Sequence, residues 1–75
     1  MDLDSNPARI GSLLGRNLKA ARRCAGLSQQ ELAARAGVTL GLLAEIEGGF
    51  SDPELRVIGA LAKAIGCAAI ELLKS

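Results

Sequence analysis

The segment from Ser28 to Gly48 constrains the fold more than any other part of the chain, because it has the pattern of a short helix, a glycine turn and a second short helix. Ser28 followed by Glu31 forms a capping-box pattern, in which the two side chains close the first turn of a helix. Gly37 comes where this helix must end and the chain reverse, a place where a left-handed backbone costs glycine little. Thr39 then has the side chain of a helix cap. The segment therefore predicts a helix-turn-helix.

The flanking segments also have helical patterns. Apolar residues recur at three- and four-residue spacing on both sides, and no segment alternates as a strand does. Asn6-Pro7 and Asp52-Pro53 each pair a capping residue with a proline suited to the first helical position. We therefore expect a first helix from Pro7 to about Ala25-Gly26, and a fourth helix from Pro53 to the stop at Gly66.

A last helix is predicted around Ile70 to Leu73, with Ala68 as a poor cap. The expected fold is all-α, a compact five-helix domain with a central helix-turn-helix. Residues 1–6 are expected to form a disordered N-terminal tail, and residues 7–75 a single domain, because 75 residues leave room for no more.

Composition excludes several classes of function. The chain has no His, Trp or Tyr, and Phe50 is its only aromatic residue. Without His, Ser-His-Asp and Cys-His catalysis and mixed Cys/His zinc sites are ruled out, and two cysteines are too few for a Cys-only zinc site. One aromatic ring cannot supply the stacking surfaces used for single-stranded nucleic acid. We therefore expect no enzyme activity, no metal and no cofactor.

A membrane location is not expected either. The longest stretch without charged or polar side chains, Ala64 to Ile70, is much shorter than the roughly 20 residues of a spanning helix. The N-terminus carries Asp2 and Asp4, where a signal peptide would be basic. The chain is therefore expected in the cytoplasm.

The net charge of +1 conceals an uneven distribution along the chain. Residues 1–27 carry five basic and two acidic side chains, residues 28–48 one basic and three acidic, and residues 49–75 three of each. The first helix is thus basic, whereas the helix-turn-helix segment is acidic.

The longer pattern LSQQELAARAGVT, from Leu27 to Thr39, strongly resembles the Cro and lambda-repressor-like helix-turn-helix family, also called the XRE class. The resemblance continues through Ile46-Glu47 and Pro53 to LAKAIG at 61–66 and ELL at 71–73, and it covers roughly residues 9–74. It implies a compact five-helix domain that binds double-stranded operator DNA, usually as a dimer.

A phosphate site is expected where the first helix of the pair begins. Backbone N–H groups there lie beside the positive end of the helix dipole, which suits a phosphate oxygen. The resemblance implies that Gln29 adds a side-chain donor, while Ser28 caps the helix without excluding a phosphate contact. Arg22 and Arg23 precede this site closely, and they either contact phosphates or form a solvated basic face.

The recognition helix, Thr39 to Glu47, departs from the family pattern because few of its side chains can hydrogen-bond to bases. Glu45 can accept a hydrogen bond from cytosine N4, and Leu40 and Leu42 can contact thymine methyl groups. The following loop has no basic side chain, but its two glycine amides could hold a phosphate. In this region DNA contacts are expected from Thr39, Leu40, Gly41, Leu42, Glu45, Gly48 and Gly49.

A second interpretation stays open, in which this helix meets a protein and not DNA. Leu40, Leu42 and Phe50 would then form an exposed apolar patch, and exposed apolar patches commonly mark interaction sites. The acidic charge of residues 28–48 favours this alternative.

Dimerisation is expected because one recognition helix with few polar contacts would bind DNA weakly, whereas a second half-site adds its contacts at high effective concentration. The candidate interface is the last helix, with Ile70, Leu72 and Leu73. Either all three pack inward on the fourth helix, or at least one of them faces a partner chain. We expect the second arrangement, a homodimer through the C-terminal helix.

Overall fold

The structure, a computed structural model, describes the backbone of residues 7–74 and the side chains of residues 11–74. It contains α1 (Pro7–Cys24), α2 (Gln29–Ala36), α3 (Leu40–Glu47) and α4 (Leu55–Ile65), followed by a 3₁₀ helix (Ala69–Leu72). No strand occurs in this range. The all-α fold class is confirmed, but four α-helices replace the five that were predicted.

The fifth element is a single 3₁₀ turn, which corrects the prediction of a last α-helix. Ala68 precedes it without any side-chain cap, so its first N–H groups have no capping acceptor. The N–H groups of Glu71 and Leu73 donate to carbonyls three residues earlier, as in the short 3₁₀ segments that often close a domain. Asn17 on α1 fastens this end of the chain, because its Nδ2 atom donates to the carbonyl of Leu72 at 3.0 Å.

The local signals around the helix-turn-helix are confirmed. The Ser28 Oγ atom accepts from the N–H of Glu31 at 3.0 Å, and the N–H of Ser28 donates to Glu31 Oε1 at 2.9 Å, which completes the capping box. Gly37 has a left-handed φ of 72°. The Thr39 hydroxyl accepts from the N–H of Leu42 at 3.1 Å and caps α3. Short-range chemistry therefore sets the boundaries of α2 and the start of α3.

The start of α4 was predicted two residues too early. The helix begins at Leu55, with Glu54 as its N-cap, and not at Pro53. The carbonyl of Glu54 accepts the first helical bonds, from Val57 at 2.9 Å and Ile58 at 3.1 Å. The loop before it runs against α1, where the carbonyl of Ser51 would lie 3.5 Å from a Cβ atom added at Gly11. The predicted cap Asn6 lies outside the described residues.

One hydrophobic core is shared by all five elements and fixes α2 and α3 against the rest of the domain. Its buried members come from α1, α2, α3, α4 and the 3₁₀ helix in turn: Leu14, Leu18, Leu32, Ala33, Leu43, Ile46, Ile58, Leu61, Ala62 and Leu72.

Between residues 7 and 74, no helix has the length and apolar character needed to cross a membrane. In the same range, no group of three or more Cys, Asp or Glu side chains is placed to hold a metal ion.

The capping box makes stability depend on pH. Hydrogen bonds from the backbone and side chain of Ser28 lower the pKa of Glu31. A carboxyl whose pKa is lowered by folding stabilises the protein above its unfolded pKa, about 4.3, and loses this effect as pH falls through the lower folded value. Glu31→Gln should therefore be less stable than the wild type near pH 7, with the difference shrinking below about pH 4. Urea midpoints measured from about pH 7 to about pH 2.5 test this, and a constant difference would contradict it.

Candidate nucleic-acid interface

The first turn of α2 and the start of α3 meet in a shallow cleft on one face of the domain. Its lining comprises Arg22, Ser28, Gln29, Gln30 and Leu40. Because Gln29 and Gln30 are the first two residues of α2, their N–H groups have no carbonyl one turn earlier to receive them. The cleft thus combines backbone donors with the positive end of a helix dipole, a combination that suits an anionic oxygen.

Arg22 lies at the back of this cleft in a buried ion pair with Glu47, the last residue of α3. The guanidinium Nε donates to Glu47 Oε2 at 2.7 Å, and Nη2 donates to Oε1 at 3.1 Å. A third bond runs from Nη1 to the carbonyl of Leu27 at 2.8 Å. The two side chains are only 10% and 3% exposed. This bidentate geometry joins the end of α1 to the end of α3.

Gln29 extends the ion pair into a network. Its Nε2 atom donates to Glu47 Oε1 at 3.1 Å, so one carboxylate oxygen receives hydrogen bonds from both Arg22 and Gln29. Glu47 Oε1 therefore links the end of α3 by hydrogen bonds to side chains from α1 and from the start of α2.

The ion pair also corrects an unfavourable charge arrangement in α3. Glu47 is at the C-terminus of this helix, where the helix dipole is negative, and the last turn contains no basic residue. Arg22 supplies the missing positive charge from α1. The hydrogen bond to Glu47 raises the pKa of Arg22, a shift that favours the charged form of the guanidinium.

The two arginines that were predicted at this site lie in different environments. Arg23 is exposed, which fits either a phosphate contact or a solvated basic face. Arg22 is buried, so the solvated-face interpretation is wrong for it. The burial was unexpected because a pairing across 25 residues is not visible in local patterns.

The outward face of α3 is small and largely apolar. Leu40, Gly41, Ala44 and Glu45 are exposed, and successive turns place Ala44 beside Leu40 and Glu45 beside Gly41. Leu42 is half-buried against the core. The two small residues at the centre leave the helix backbone open to close approach.

The loop after α3 differs from the expectation that its two glycine amides could hold a phosphate. The N–H of Gly48 donates to the carbonyl of Ala44 at 3.0 Å, and that of Gly49 to the carbonyl of Ile46 at 3.1 Å. Both amides are used to close the helix, which corrects the roles predicted for them. Gly49 has a φ of 80° and packs on α1, where a Cβ atom would lie 3.3 Å from the Cα of Ser12. Phe50 then projects into solvent, 87% exposed.

The candidate dimer residues divide into two groups. Ile70 and Leu73 are exposed, Ile70 by 64%. Leu72 is only 1% exposed and belongs to the core, so its predicted place at an interface is corrected. Leu72 therefore faces the core, whereas Ile70 and Leu73 remain exposed on the surface of this short segment.

Two residues of structural importance were missed at the sequence level. Glu47 was noted only as part of the acidic charge and of the family pattern, and nothing local connects it with Arg22 and Gln29. Gly15 lies where α1 crosses α3, and a Cβ atom there would be 2.3 Å from the carbonyl oxygen of Ile46. A glycine inside a helix is unfavourable relative to alanine, which is itself a sign of close backbone approach.

The sequence of this chain is similar to those of known helix-turn-helix proteins. Residues 13–73 match the model of a family described as "Helix-turn-helix domain". The chain is 36% identical over 61 residues to an uncharacterized HTH-type transcriptional regulator, y4dJ, from Sinorhizobium fredii, an alignment that covers 81% of this chain and 79% of the relative.

Two solved structures superimpose closely. The restriction-modification controller protein C.AhdI from Aeromonas hydrophila has a TM-score of 0.80 and 31% identity, over 83% of this chain and 94% of that chain. The hypothetical transcription factor NHTF from Neisseria has a TM-score of 0.84 and 29% identity, over 92% and 79% of the two chains. The Cro and lambda-repressor-like resemblance is thereby confirmed, and this chain belongs to the helix-turn-helix domain family.

Proposed function

We propose that this protein is a sequence-specific DNA-binding transcriptional regulator, with α2 on the phosphate backbone and α3 in the major groove. The observation that carries this assignment is the cleft in which the first turn of α2 meets Leu40, the first residue of α3. A phosphate held at α2 would bring the outward face of α3 against the base pairs, as in other helix-turn-helix proteins.

The phosphate site consists of the N–H groups at the start of α2, the Gln29 amide and the charge of Arg23 nearby. Ser28 contributes by shaping the first turn, since its hydroxyl is used in the capping box. Arg22 has three hydrogen bonds within the protein, so its role is to support the site.

Base recognition falls to the outward face of α3. Glu45 accepts a hydrogen bond from cytosine N4, and Leu40 contacts a thymine methyl group. Gly41 and Ala44 lie at the centre of this face, and their small size allows the helix to lie deep in the groove. Thr39 and Leu42 support the helix, one as its cap and the other against the core.

Gln29→Ala tests the phosphate assignment. A hydrogen bond to a charged group contributes about 1.5 kcal/mol, so the variant should bind duplex DNA about tenfold more weakly. The loss should be similar for a preferred operator and for random duplexes, because phosphate contacts carry no base information. Fluorescence titrations at two salt concentrations measure this.

Glu54→Ala is the control, since it shortens an exposed side chain that lies outside the cleft and should change affinity by about twofold or less. If Gln29→Ala altered the preferred operator and left overall affinity unchanged, the assigned role would be wrong.

The proposal includes a homodimer formed through the exposed side chains of the 3₁₀ turn, Ile70 and Leu73. Two-fold pairing can place the two recognition helices about 34 Å apart, one turn of DNA. At about 100 μM, a concentration sufficient even for weak association, sedimentation equilibrium should show a dimer.

Ile70→Lys should shift this equilibrium to monomer. Leu55→Lys is the control, because it changes an apolar side chain of similar exposure, 70% against 64%, at the start of α4. A monomeric wild type would refute the homodimer.

The regulator is proposed to act without catalytic activity, metal or cofactor, and in the cytoplasm, where a bacterial-type operator lies.

The second candidate function is a protein-interaction module without DNA binding. The 87% exposure of Phe50, in the loop after α3, is the observation that favours it. Failure of the wild type to bind any duplex at low salt would support this second candidate.

A further inference from the structure

We infer that Glu47 is a positioning residue for DNA binding, which holds the Gln29 side chain ready for a phosphate although Glu47 itself touches no DNA. The inference rests on the proposed function and adds a residue whose negative charge would otherwise count against DNA binding. Its basis is the network that joins Arg22, Glu47 and Gln29.

The Gln29 amide is suited to two partners at once. Its Nε2 atom has two N–H groups. One of them donates to Glu47 Oε1 at 3.1 Å, which leaves the second for an acceptor from outside the protein. A glutamine side chain at a helix start loses considerable conformational freedom when it binds a ligand. The bond to Glu47 removes part of that freedom before DNA arrives.

The Glu47 carboxylate is itself firmly held. Both of its oxygens accept hydrogen bonds from Arg22, at 2.7 Å and 3.1 Å, and its side chain is 3% exposed. Arg22 is anchored in turn by the carbonyl of Leu27, directly before the cap of α2. The position of the Gln29 amide is therefore set by α1 and α3 as well as by its own helix.

Charge neutralisation makes this arrangement compatible with a phosphate nearby. An isolated carboxylate beside the cleft would repel DNA, but the bidentate bond with Arg22 cancels its charge. Because Glu47 is the last residue of α3, the same contact fixes the phosphate site relative to the recognition helix.

Positioning and simple electrostatics predict opposite results for Glu47→Gln. Removal of a negative charge strengthens the attraction to a polyanion. Loss of positioning weakens binding, because a glutamine at 47 cannot accept from both Nε and Nη2 of Arg22 and also from Gln29 without placing an NH₂ group against a donor. We expect Glu47→Gln to bind duplex DNA about fivefold more weakly than the wild type.

Glu54→Gln is the matched control, since it removes the same charge from an exposed residue with only a 3.6 Å surface contact to Arg56. It should bind as well as the wild type or slightly more tightly. Glu47→Gln binding as tightly as the wild type would overturn the inference.

The Gln29→Ala background separates positioning from a general structural effect. If Glu47 acts through Gln29, Glu47→Gln should cause no further loss of affinity in that background. An equal loss in both backgrounds would overturn the inference. If Glu47→Gln does not fold, the double variant Arg22→Met/Glu47→Leu replaces the buried pair by apolar side chains, a change that folded proteins often tolerate. This double variant should also bind DNA more weakly than the wild type, and adding Gln29→Ala to it should cause no further loss of affinity.

A measurement without DNA distinguishes failure of the inference from failure of the proposed function. In the free wild type, the NMR signals of the Gln29 side-chain NH₂ group should be displaced from ordinary glutamine positions. They should return towards those positions in Glu47→Gln or in the double variant. Unchanged signals would overturn the inference, whereas absence of DNA binding by the wild type would overturn the proposed function.

Discussion

Gly15→Ala is expected to destabilise the protein by about 3 kcal/mol, at the upper end of what overpacking usually costs. The added Cβ atom would lie 2.3 Å from the carbonyl oxygen of Ile46 and 2.8 Å from that of Glu47. Both neighbours are backbone atoms of α3 and cannot rotate away. The two helices must therefore separate, which would also disturb the core contacts of Leu14, Leu18 and Ile46.

The matched control is Gly59→Ala in α4, where an added Cβ atom meets nothing within 4 Å. Alanine is favoured over glycine in a helix, so this variant should be about 0.5–1 kcal/mol more stable than the wild type. Urea unfolding followed by circular dichroism gives both free energies. Similar effects of the two substitutions would contradict the close approach of α1 and α3.

The second large effect is expected from breaking the buried ion pair. Arg22→Met leaves Glu47 buried without its main partner, and removal of one member of such a pair typically costs about 3–5 kcal/mol. A domain of this size has roughly 4–11 kcal/mol of total stability, so the variant should lose a large share of it and unfold at a much lower urea concentration than the wild type.

Arg22→Met/Glu47→Leu should recover most of this loss, because an apolar pair of similar volume needs no charge compensation. The free energies of unfolding of both single variants and of the double variant complete a double-mutant cycle. If the stability lost in the double variant equalled the sum of the losses in Arg22→Met and Glu47→Leu, the two residues would not be coupled as the geometry requires.

The parts of the fold that could be predicted are those determined by neighbouring residues. The capping box of Ser28 and Glu31, the left-handed turn at Gly37 and the cap at Thr39 each depend on groups within about one helical turn. Apolar periodicity likewise identified the helices whose buried faces form the core.

The parts that were wrong or missed depend on contacts between distant segments. Arg22 and Glu47 pair across 25 residues, and the crossing at Gly15 depends on how α1 lies on α3. The start of α4 at Leu55, two residues after Pro53, has no signal in the local sequence. Which of Ile70, Leu72 and Leu73 is buried depends on how the last turn packs on the rest of the domain, and it buries Leu72 while leaving Ile70 exposed.

The candidate site divides in the same way into parts that local sequence predicts and parts that depend on tertiary structure. Gln29 and the start of α2 were identified from local sequence and from the family resemblance. The partner that orders Gln29, and the use of the Gly48 and Gly49 amides to close α3, required the tertiary structure.

The face formed by α2 and α3 is expected to bind specific DNA sequences. Selection of bound duplexes from a random pool, carried out in parallel with the wild type and with Glu45→Ala, tests it most directly. The wild type should enrich a sequence with two symmetric half-sites about one turn of DNA apart. Glu45→Ala should lose the preference at one position of each half-site and keep the others. A wild-type pool that shows no enrichment over successive rounds would contradict the account.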